Sequence, residues 1–595
     1  MTNEGLLQIE DCVDAGGAIV LPPGATLISL IERNIANVGE AVAFRYLDYA
    51  ADERTVELTW AQLGRRMRAI GARVQRVASH GDRVAILAPQ GLDYVAAFYA
   101  AVKAGAIAVP LFAPELQGHA ERLETALTDA RPTAVLTTSA VADTVREFLQ
   151  HRDVGKGLAV IAVDEIADAD GAAFRPIMLE VDDVSHLQYT SGSTRAPVGI
   201  EITHRAVGTN LLQMILSIDL LDRNTHGVSW LPLYHDMGLS MIGFPAVYGG
   251  HSTLLSPTAF IRRPQRWILA LAAGSRTGRV VTAAPNFAYE YTAQRGLPTP
   301  GADIDLRNVV MIVGSEPVSM AAITSFRTAF APYGLPATAI KPSYGIAEAT
   351  LFVSTIAPEA QPSVVHLDRD QLSEGLAVPV AADTDAVAQV SCGQVSRSQW
   401  AVIVDPDAHI ELADGHVGEI WVHGDNVAQR YWGLPDESRD ALDARLESRL
   451  DVDSHANGSP ADARWLRTGD LGVYLAGELY VTGRRADIIT IDGRQHYPHD
   501  IEATTTEAST MVRPDHVAAF AVDDGLVLIA ERASGTRRAD RLPAIESIRK
   551  AVWTRHRLYP VDVRFVPAGS IPRTTSGKLA RRACRGQYLR GELRG

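Results

Sequence analysis

Through most of the first 350 residues, short apolar runs alternate with stretches whose apolar side chains recur at helical spacing. Arg83-Val84-Ala85-Ile86-Leu87-Ala88-Pro89 reads as a strand, Asp93 to Lys103 as an amphipathic helix, and Ala106 to Leu111 as the next strand. That is a βαβ unit. Similar runs recur at Ala134 to Thr137, Val280 to Ala284 and Val309 to Val313. The alternation predicts an α/β fold of mostly parallel sheets covered by helices. It also says which loops matter, because ligands of such folds sit beyond the carboxyl ends of the strands.

At 595 residues the chain exceeds one compact core, so two or more domains are expected. Asp436 to Asp462 is acidic and reads as a surface excursion. Past it the texture changes, with Gly469-Asp470-Leu471-Gly472 and Gly483-Arg484-Arg485 punctuating short strands, and a boundary is placed near Gly483 to Asp487. The formal net charge of -14 argues against a nucleic-acid binder. Arg581, Arg582, Arg585, Arg590 and Arg594 make the chain's end basic, and they read as a solvated tail.

Cys12, Cys392 and Cys584 show no paired spacing, which fits a reducing, cytoplasmic setting. The first residues lack a basic segment followed by an apolar run, so no signal peptide is expected. Met237 to Ile261 contains no Asp, Glu, Lys or Arg, yet Pro245, Pro257 and several glycines make it a poor membrane span, and no transmembrane segment is expected. It reads either as buried core or as the wall of an apolar pocket.

One loop follows a strand-like end: Leu187-Gln188-Tyr189 leads into Thr190-Ser191-Gly192-Ser193-Thr194, then Arg195, Pro197 and Gly199, and on to a segment that reads as a helix. Glycine lets backbone N–H groups converge on an anion, and hydroxyls add donors. The mononucleotide P-loop is excluded, since Gly155-Lys156 is followed by Gly157 and Gly577-Lys578 by Leu579. Taken alone, the loop fits an ordinary surface turn better than a phosphate cradle. Its weight comes from three stretches downstream. Ser343 to Thr350 places Glu348 beside Tyr344 and a tight turn, Trp465 to Gly472 offers Asp470 at a turn, and Ile571 to Lys578 presents a lysine on a hydroxyl-rich loop. Lysines are scarce here: Lys103, Lys156, Lys341, Lys550 and Lys578 stand among 56 basic residues. A lysine where arginine is the habit suggests that a compact ammonium is wanted.

In this order and at these separations, the four motifs resemble the ANL adenylating superfamily of acyl-CoA synthetases, nonribosomal adenylation domains and luciferases, across nearly the whole chain. His235-Asp236-Met237-Gly238-Leu239, Ser343 to Thr350 and Asp492 to Pro498 look like its fatty acyl-AMP ligase branch. So does the long spacer after Thr350, through Val364 to Asp370 and on to Val390. The resemblance implies a large N-terminal domain of parallel-rich sheets flanked by helices, residues 1–483, with a branch-specific insertion near 355–387. It implies a small mobile α+β C-terminal domain, residues 484–595, carrying the catalytic lysine, with a hinge at Arg485-Ala486-Asp487.

The implied reaction has two steps. A fatty acid carboxylate attacks the α-phosphate of ATP, giving acyl-adenylate and pyrophosphate. The acyl group then passes to the phosphopantetheine thiol of an acyl carrier protein or polyketide synthase. By the same resemblance Thr190, Ser191, Gly192, Ser193, Thr194 and Arg195 hold the β- and γ-phosphates. Val198 stands where most branches have lysine, leaving Arg195 as a partial substitute. Glu348 is the Mg²⁺ ligand, a role that suits a carboxylate. Tyr344 stacks on adenine, while Gly314, Ser315, Glu316, Ser343, Gly345 and the backbone of Ala347 line the nucleotide pocket. Asp470 accepts from the ribose hydroxyls and Arg484 reaches ribose or phosphate. His235 gates the acyl pocket, and Lys578 bridges the carboxylate and the α-phosphate. Two other readings stand beside this one: a long-chain acyl-CoA synthetase, and a catalytically silent acyl- or carrier-binding scaffold.

Overall fold

The computed structural model describes residues 6–50, 53–115, 118–152, 154, 157–190, 197–222, 224–299, 301–382, 385–574 and 577–593. The apolar runs are strands, and most are buried on both faces. Arg83–Ile86, Ile107–Pro110, Ala134–Thr137, Ala159–Ala162 and Val184–Tyr189 lie parallel in a six-stranded sheet, with Gly199–Thr203 antiparallel at its edge. Arg83–Ile86 and Ile107–Pro110 are neighbours, Val84 opposite Ala108, and helix Leu92–Lys103 is the crossover between them. That helix is apolar on every side because it is enclosed by neighbouring elements. Its Tyr99 hydroxyl donates to the Ile242 carbonyl at 2.7 Å.

A nine-stranded sheet forms the second layer. Val42–Asp48, His251–Leu255, Thr225–Ser229, Arg279–Pro285, Val309–Gly314 and Ile340–Gly345 are mutually parallel, and antiparallel strands close both edges. One apolar core joins the two layers. The charge-free stretch has both of its readings fulfilled. Helix Asp236–Tyr248 is buried along its length and lines a cavity, and His251–Leu255 is an inner strand.

One expectation is corrected. Gly199 to Thr203 is a strand, with Tyr189 opposite Gly199 and Leu187 opposite Glu201. The helix begins only at His204, where the Thr203 hydroxyl caps Ala206 N–H. Ile200, Ile202 and Thr203 are β-branched, and pairing with a buried partner strand overrides the helical pattern that follows.

A four-stranded antiparallel sheet, Gln399–Val404, Gly418–Gly424, Leu466–Leu475 and Glu478–Arg484, follows the large sheets. The smaller C-terminal domain has its own three-stranded sheet, Val512–Val522, Gly525–Arg532 and Pro560–Val566, and its own apolar clusters. The basic tail reading fails at Arg581. Its guanidinium is mostly buried, paired with Glu502 at 2.7 Å and Asp487 at 3.1 Å. The acidic excursion is pinned as well: the Glu411 carboxylate accepts from Leu450 N, Ser454 Oγ and His455 N at 2.7–3.0 Å.

The spacer after Thr350 forms a ribbon, Val364–Leu367 against Val387–Val390, with a short helix Arg369–Ser373. Leu367, Leu372 and Val387 pack with Val473 and Tyr480 of the four-stranded sheet and with Tyr497 of the small domain. Arg369 pairs with Asp500, and Asp370 lies 3.6 Å from Arg494.

Gly345 ends one inner strand at a bulge where a Cβ would sit 1.9 Å from the Leu351 carbonyl oxygen. Backbone cannot move aside as a side chain can. Gly345→Ala is therefore expected to lose about 1–3 kcal/mol of stability, read as a lower thermal midpoint in scanning calorimetry.

Candidate active site

The pocket is assembled at the carboxyl ends of adjacent parallel strands. Val309–Gly314 delivers Gly314, Ser315 and Glu316, and Ile340–Gly345 delivers Ser343, Tyr344 and Gly345. The strands are close here: a Cβ on Gly314 would meet the Ser343 carbonyl oxygen at 2.7 Å. Ser315 turns the chain with a φ of 73°, and Thr350 does so with 65°. Between them the one-turn helix Ala347–Ala349 places Glu348, which is buried and accepts from the Tyr431 hydroxyl at 3.0 Å.

The four-stranded sheet supplies Asp470 and Arg484, directly opposite each other across a strand pair. Arg484 Nε donates to Asp470 Oδ1 at 2.9 Å and the Tyr344 hydroxyl to Oδ2 at 2.8 Å. The Asp470 carboxylate holds the Arg484 guanidinium well above its ordinary pKa, so the guanidinium stays charged. Each carboxylate oxygen keeps a further lone pair, which suits a diol bridging both. Tyr344 is fixed by this bond, with its hydroxyl aimed at the proposed ribose site.

Lys578 comes from the small domain on a tight turn. Thr574 N donates to the Lys578 carbonyl at 2.8 Å, Lys578 N to Thr574 Oγ1 at 3.1 Å, and Arg573 to the Gly577 carbonyl at 2.7 Å. Gly577 takes the left-handed conformation the turn requires, with φ 85°. Protein packed around the ammonium lowers its pKa, opposed by the nearby carboxylates of Asp236, Glu316 and Asp470. Burial raises the pKa of Asp236, with Lys578 pulling it back. Burial does the same to Glu316, whose Oε1 also accepts the Phe287 N–H at 3.0 Å. Residues more than 300 positions apart thus share one electrostatic site.

Asp236 also borders an apolar cavity walled by Leu239, Ile242, Phe98, Val207 and Met214 among others. His235, immediately before it, is the N-cap residue of helix Asp236–Tyr248, its ring 4.7 Å from that of Tyr234. Thr190 lies at the end of its strand, its N–H toward the Val198 carbonyl at 3.4 Å. Ser191, Gly192, Ser193, Thr194 and Arg195 fall outside the described residues.

Among the described residues no group of three or more His, Cys, Asp or Glu side chains could hold a metal. Glu348 alone still fits Mg²⁺, which needs only one or two carboxylates when substrate phosphates and water complete its shell. Four contributors escaped the motif reading. Asp236 lies inside His-Asp-Met-Gly-Leu and was legible there as a carboxylate beside an apolar run. Arg573 lies inside the Ile571 to Lys578 stretch and was legible there as a cation near the lysine, whereas Tyr431 and the Phe287 amide carry no sequence signal, since only the fold brings them in.

The charged form of Lys578 is the ammonium, and its pKa lies below the ordinary lysine value of about 10.4. Charge is lost as pH rises through that lowered value. Activity is therefore expected to decline on the alkaline side before a free lysine would titrate, and Lys578→Arg should move that limb upward in a pH–rate profile. Asp470→Asn removes a charged acceptor and is expected to weaken AMP binding by about tenfold or more, measured by calorimetry.

Comparison with known proteins places the chain firmly. The AMP-binding enzyme family matches residues 31–432, and the Disco-interacting protein 2-like AMP domain matches residues 486–595. The chain is 45% identical to the long-chain-fatty-acid–AMP ligase FadD32 of Mycolicibacterium smegmatis, covering 97% of this chain and 96% of that one. It is 39% identical to the 4-hydroxyphenylalkanoate adenylyltransferase of Mycobacterium tuberculosis, covering 96% and 92%. The Legionella pneumophila fatty acyl-adenylate ligase, solved with acyl adenylate and pyrophosphate, superposes with a TM-score of 0.71 at 28% identity, covering 95% and 96%.

Proposed function

The chain belongs to the AMP-binding enzyme family, and we propose that it is a fatty acyl-AMP ligase that joins a long-chain fatty acid to AMP and hands the acyl group to a carrier-bound thiol. The observation that carries this reading is the Lys578 ammonium sharing one electrostatic site with the Asp470–Arg484 pair and with Asp236, which borders the apolar cavity. The cavity takes the acyl chain and leaves its carboxylate at the charged mouth. Asp470 and Tyr344 fix the nucleoside. Lys578 then neutralises the carboxylate and the α-phosphate as they approach, the place where preformed charge contributes most. Glu348 would hold Mg²⁺, which supplies charge neutralisation on the phosphates.

The acceptor follows from the ribbon at 364–390. It shares a small apolar core with Tyr497, and its Arg369 pairs with Asp500, so it ties the small domain in the pose that delivers Lys578. A second pose for thioester formation with free coenzyme A has to break those contacts. That favours a carrier protein or polyketide synthase, whose docking energy can offset the loss, over coenzyme A.

Incubated with long-chain fatty acid, ATP and Mg²⁺, the protein should yield acyl-AMP and pyrophosphate by mass spectrometry, with little acyl-CoA when coenzyme A is added. Lys578→Ala should fold normally and lose adenylate formation by about 10²–10³ or more. Pyrophosphate release at the wild-type rate from that variant sinks the assignment.

A further inference from the structure

Building on the adenylation reading, we propose that Arg122 is a phosphate-binding residue whose guanidinium receives the terminal phosphates of ATP and then the departing pyrophosphate. Topology puts it in the right place. Ile107–Pro110 and Val184–Tyr189 are adjacent parallel strands, Ala108 opposite His186. Helix Ala120–Ala130 follows the first and Thr190 follows the second, so both lie beyond the carboxyl ends where ligands of such sheets bind. Arg122 is in the helix's first turn, and its Nη2 donates to the Thr190 carbonyl at 2.7 Å. Tyr234 joins them: its carbonyl accepts from Gln188 Nε2 at 3.1 Å, and its ring lies 5.3 Å from Phe112 and 4.7 Å from His235. Arg122 thus stands by Tyr234, two residues along the chain from the Asp236 that faces Lys578.

Among the described residues no counter-charge pairs with Arg122. Two other largely buried arginines are paired with carboxylates, Arg581 with Glu502 and Asp487, Arg369 with Asp500. Among the described residues Arg122 has no carboxylate partner. Its titratable neighbour is the Tyr234 phenol, which burial pushes up to about 12 and so keeps neutral. Burial lowers the pKa of Arg122 itself. A guanidinium carries five N–H donors, and the Thr190 carbonyl occupies one of them. A desolvated cation with spare donors and no anion is costly unless a ligand brings the anion. The planar fork matches phosphoryl oxygens, which accept two donors side by side.

The chemistry assigns it a task. A carboxylate oxygen forms a bond to the α-phosphorus while the bond from that phosphorus to the bridging oxygen breaks. The electron pair leaves with pyrophosphate, and no proton or further reactant is needed. Negative charge therefore accumulates on the leaving group, away from Lys578, and Arg122 neutralises it there.

The test separates pyrophosphate from AMP. In full-length Arg122→Gln, the KM for pyrophosphate in ATP–pyrophosphate exchange should rise by about tenfold or more, while the Kd for AMP stays within about twofold. Arg122→Lys should restore part of the loss, since it returns the charge without the fork. Equal weakening of both ligands, or an unchanged pyrophosphate KM, overturns the proposal. A second measurement uses the unmutated protein, in case Arg122→Gln does not fold. Pyrophosphate, but not AMP, should protect Arg122 from an arginine-selective dicarbonyl reagent, read by peptide mass spectrometry, and equal labelling under both ligands overturns it too. Failure of the unmutated chain to make acyl-adenylate sinks the adenylation reading instead, so the two failures are distinguishable.

Discussion

The ammonium of Lys578 is the interaction on which the site depends. It belongs to the small domain, yet the carboxylates that keep it charged, Asp236, Glu316 and Asp470, belong to the large one. Neither side is comfortable alone. Without the lysine, two carboxylates already strained by burial lose a cation that opposes their protonation. Without the carboxylates, an ammonium crowded by protein tends to shed its proton. The charge state of the pocket and the placement of the small domain are therefore one equilibrium, and electrostatics adds to the packing that holds the domain.

Two further devices make that placement specific. The turn carrying Lys578 is knitted by its own backbone and by Arg573, so little conformational freedom is lost when the ammonium meets substrate. The ribbon after Thr350 then braces the same domain from the far side through Arg369, Leu372 and Tyr497. A lysine on a loose loop would reach the phosphates only part of the time. Held by the hydrogen bonds of Thr574 and Arg573 in a braced domain, it is brought to one spot.

Much of this was legible because period and length speak clearly for buried parallel strands. Ala134 to Thr137 emerges with the bounds read from the sequence, and Val280 to Ala284 and Val309 to Val313 extend by one or two residues. Gly199 to Thr203 misled because five residues are too few to show a period, and the helical pattern beyond them was stronger. The motif residues were legible as types but not as contacts. That the Tyr344 hydroxyl would bond Asp470, 126 positions away, depends on how two sheets meet. Arg122 and Tyr431 left no local mark at all. An arginine in the first turn of a helix looks like any solvated charge, even a slightly unfavourable one against the helix dipole. What marks it is three-dimensional: among the described residues no carboxylate pairs with it.

The same charge balance bears on how the reaction begins. With the pocket empty, burial and the field of Arg484 draw the lysine toward neutrality while three carboxylates draw it back. Substrate brings two more anions, a carboxylate and a phosphate chain, close to the same nitrogen. Their arrival can only raise its affinity for a proton, because an opposite charge nearby favours the charged form. By linkage, protonation must in turn tighten the binding of both anions, by the same free energy. An empty pocket can thus tolerate a half-buried lysine, and the loaded pocket charges it at the moment two mutually repelling reactants must be brought together.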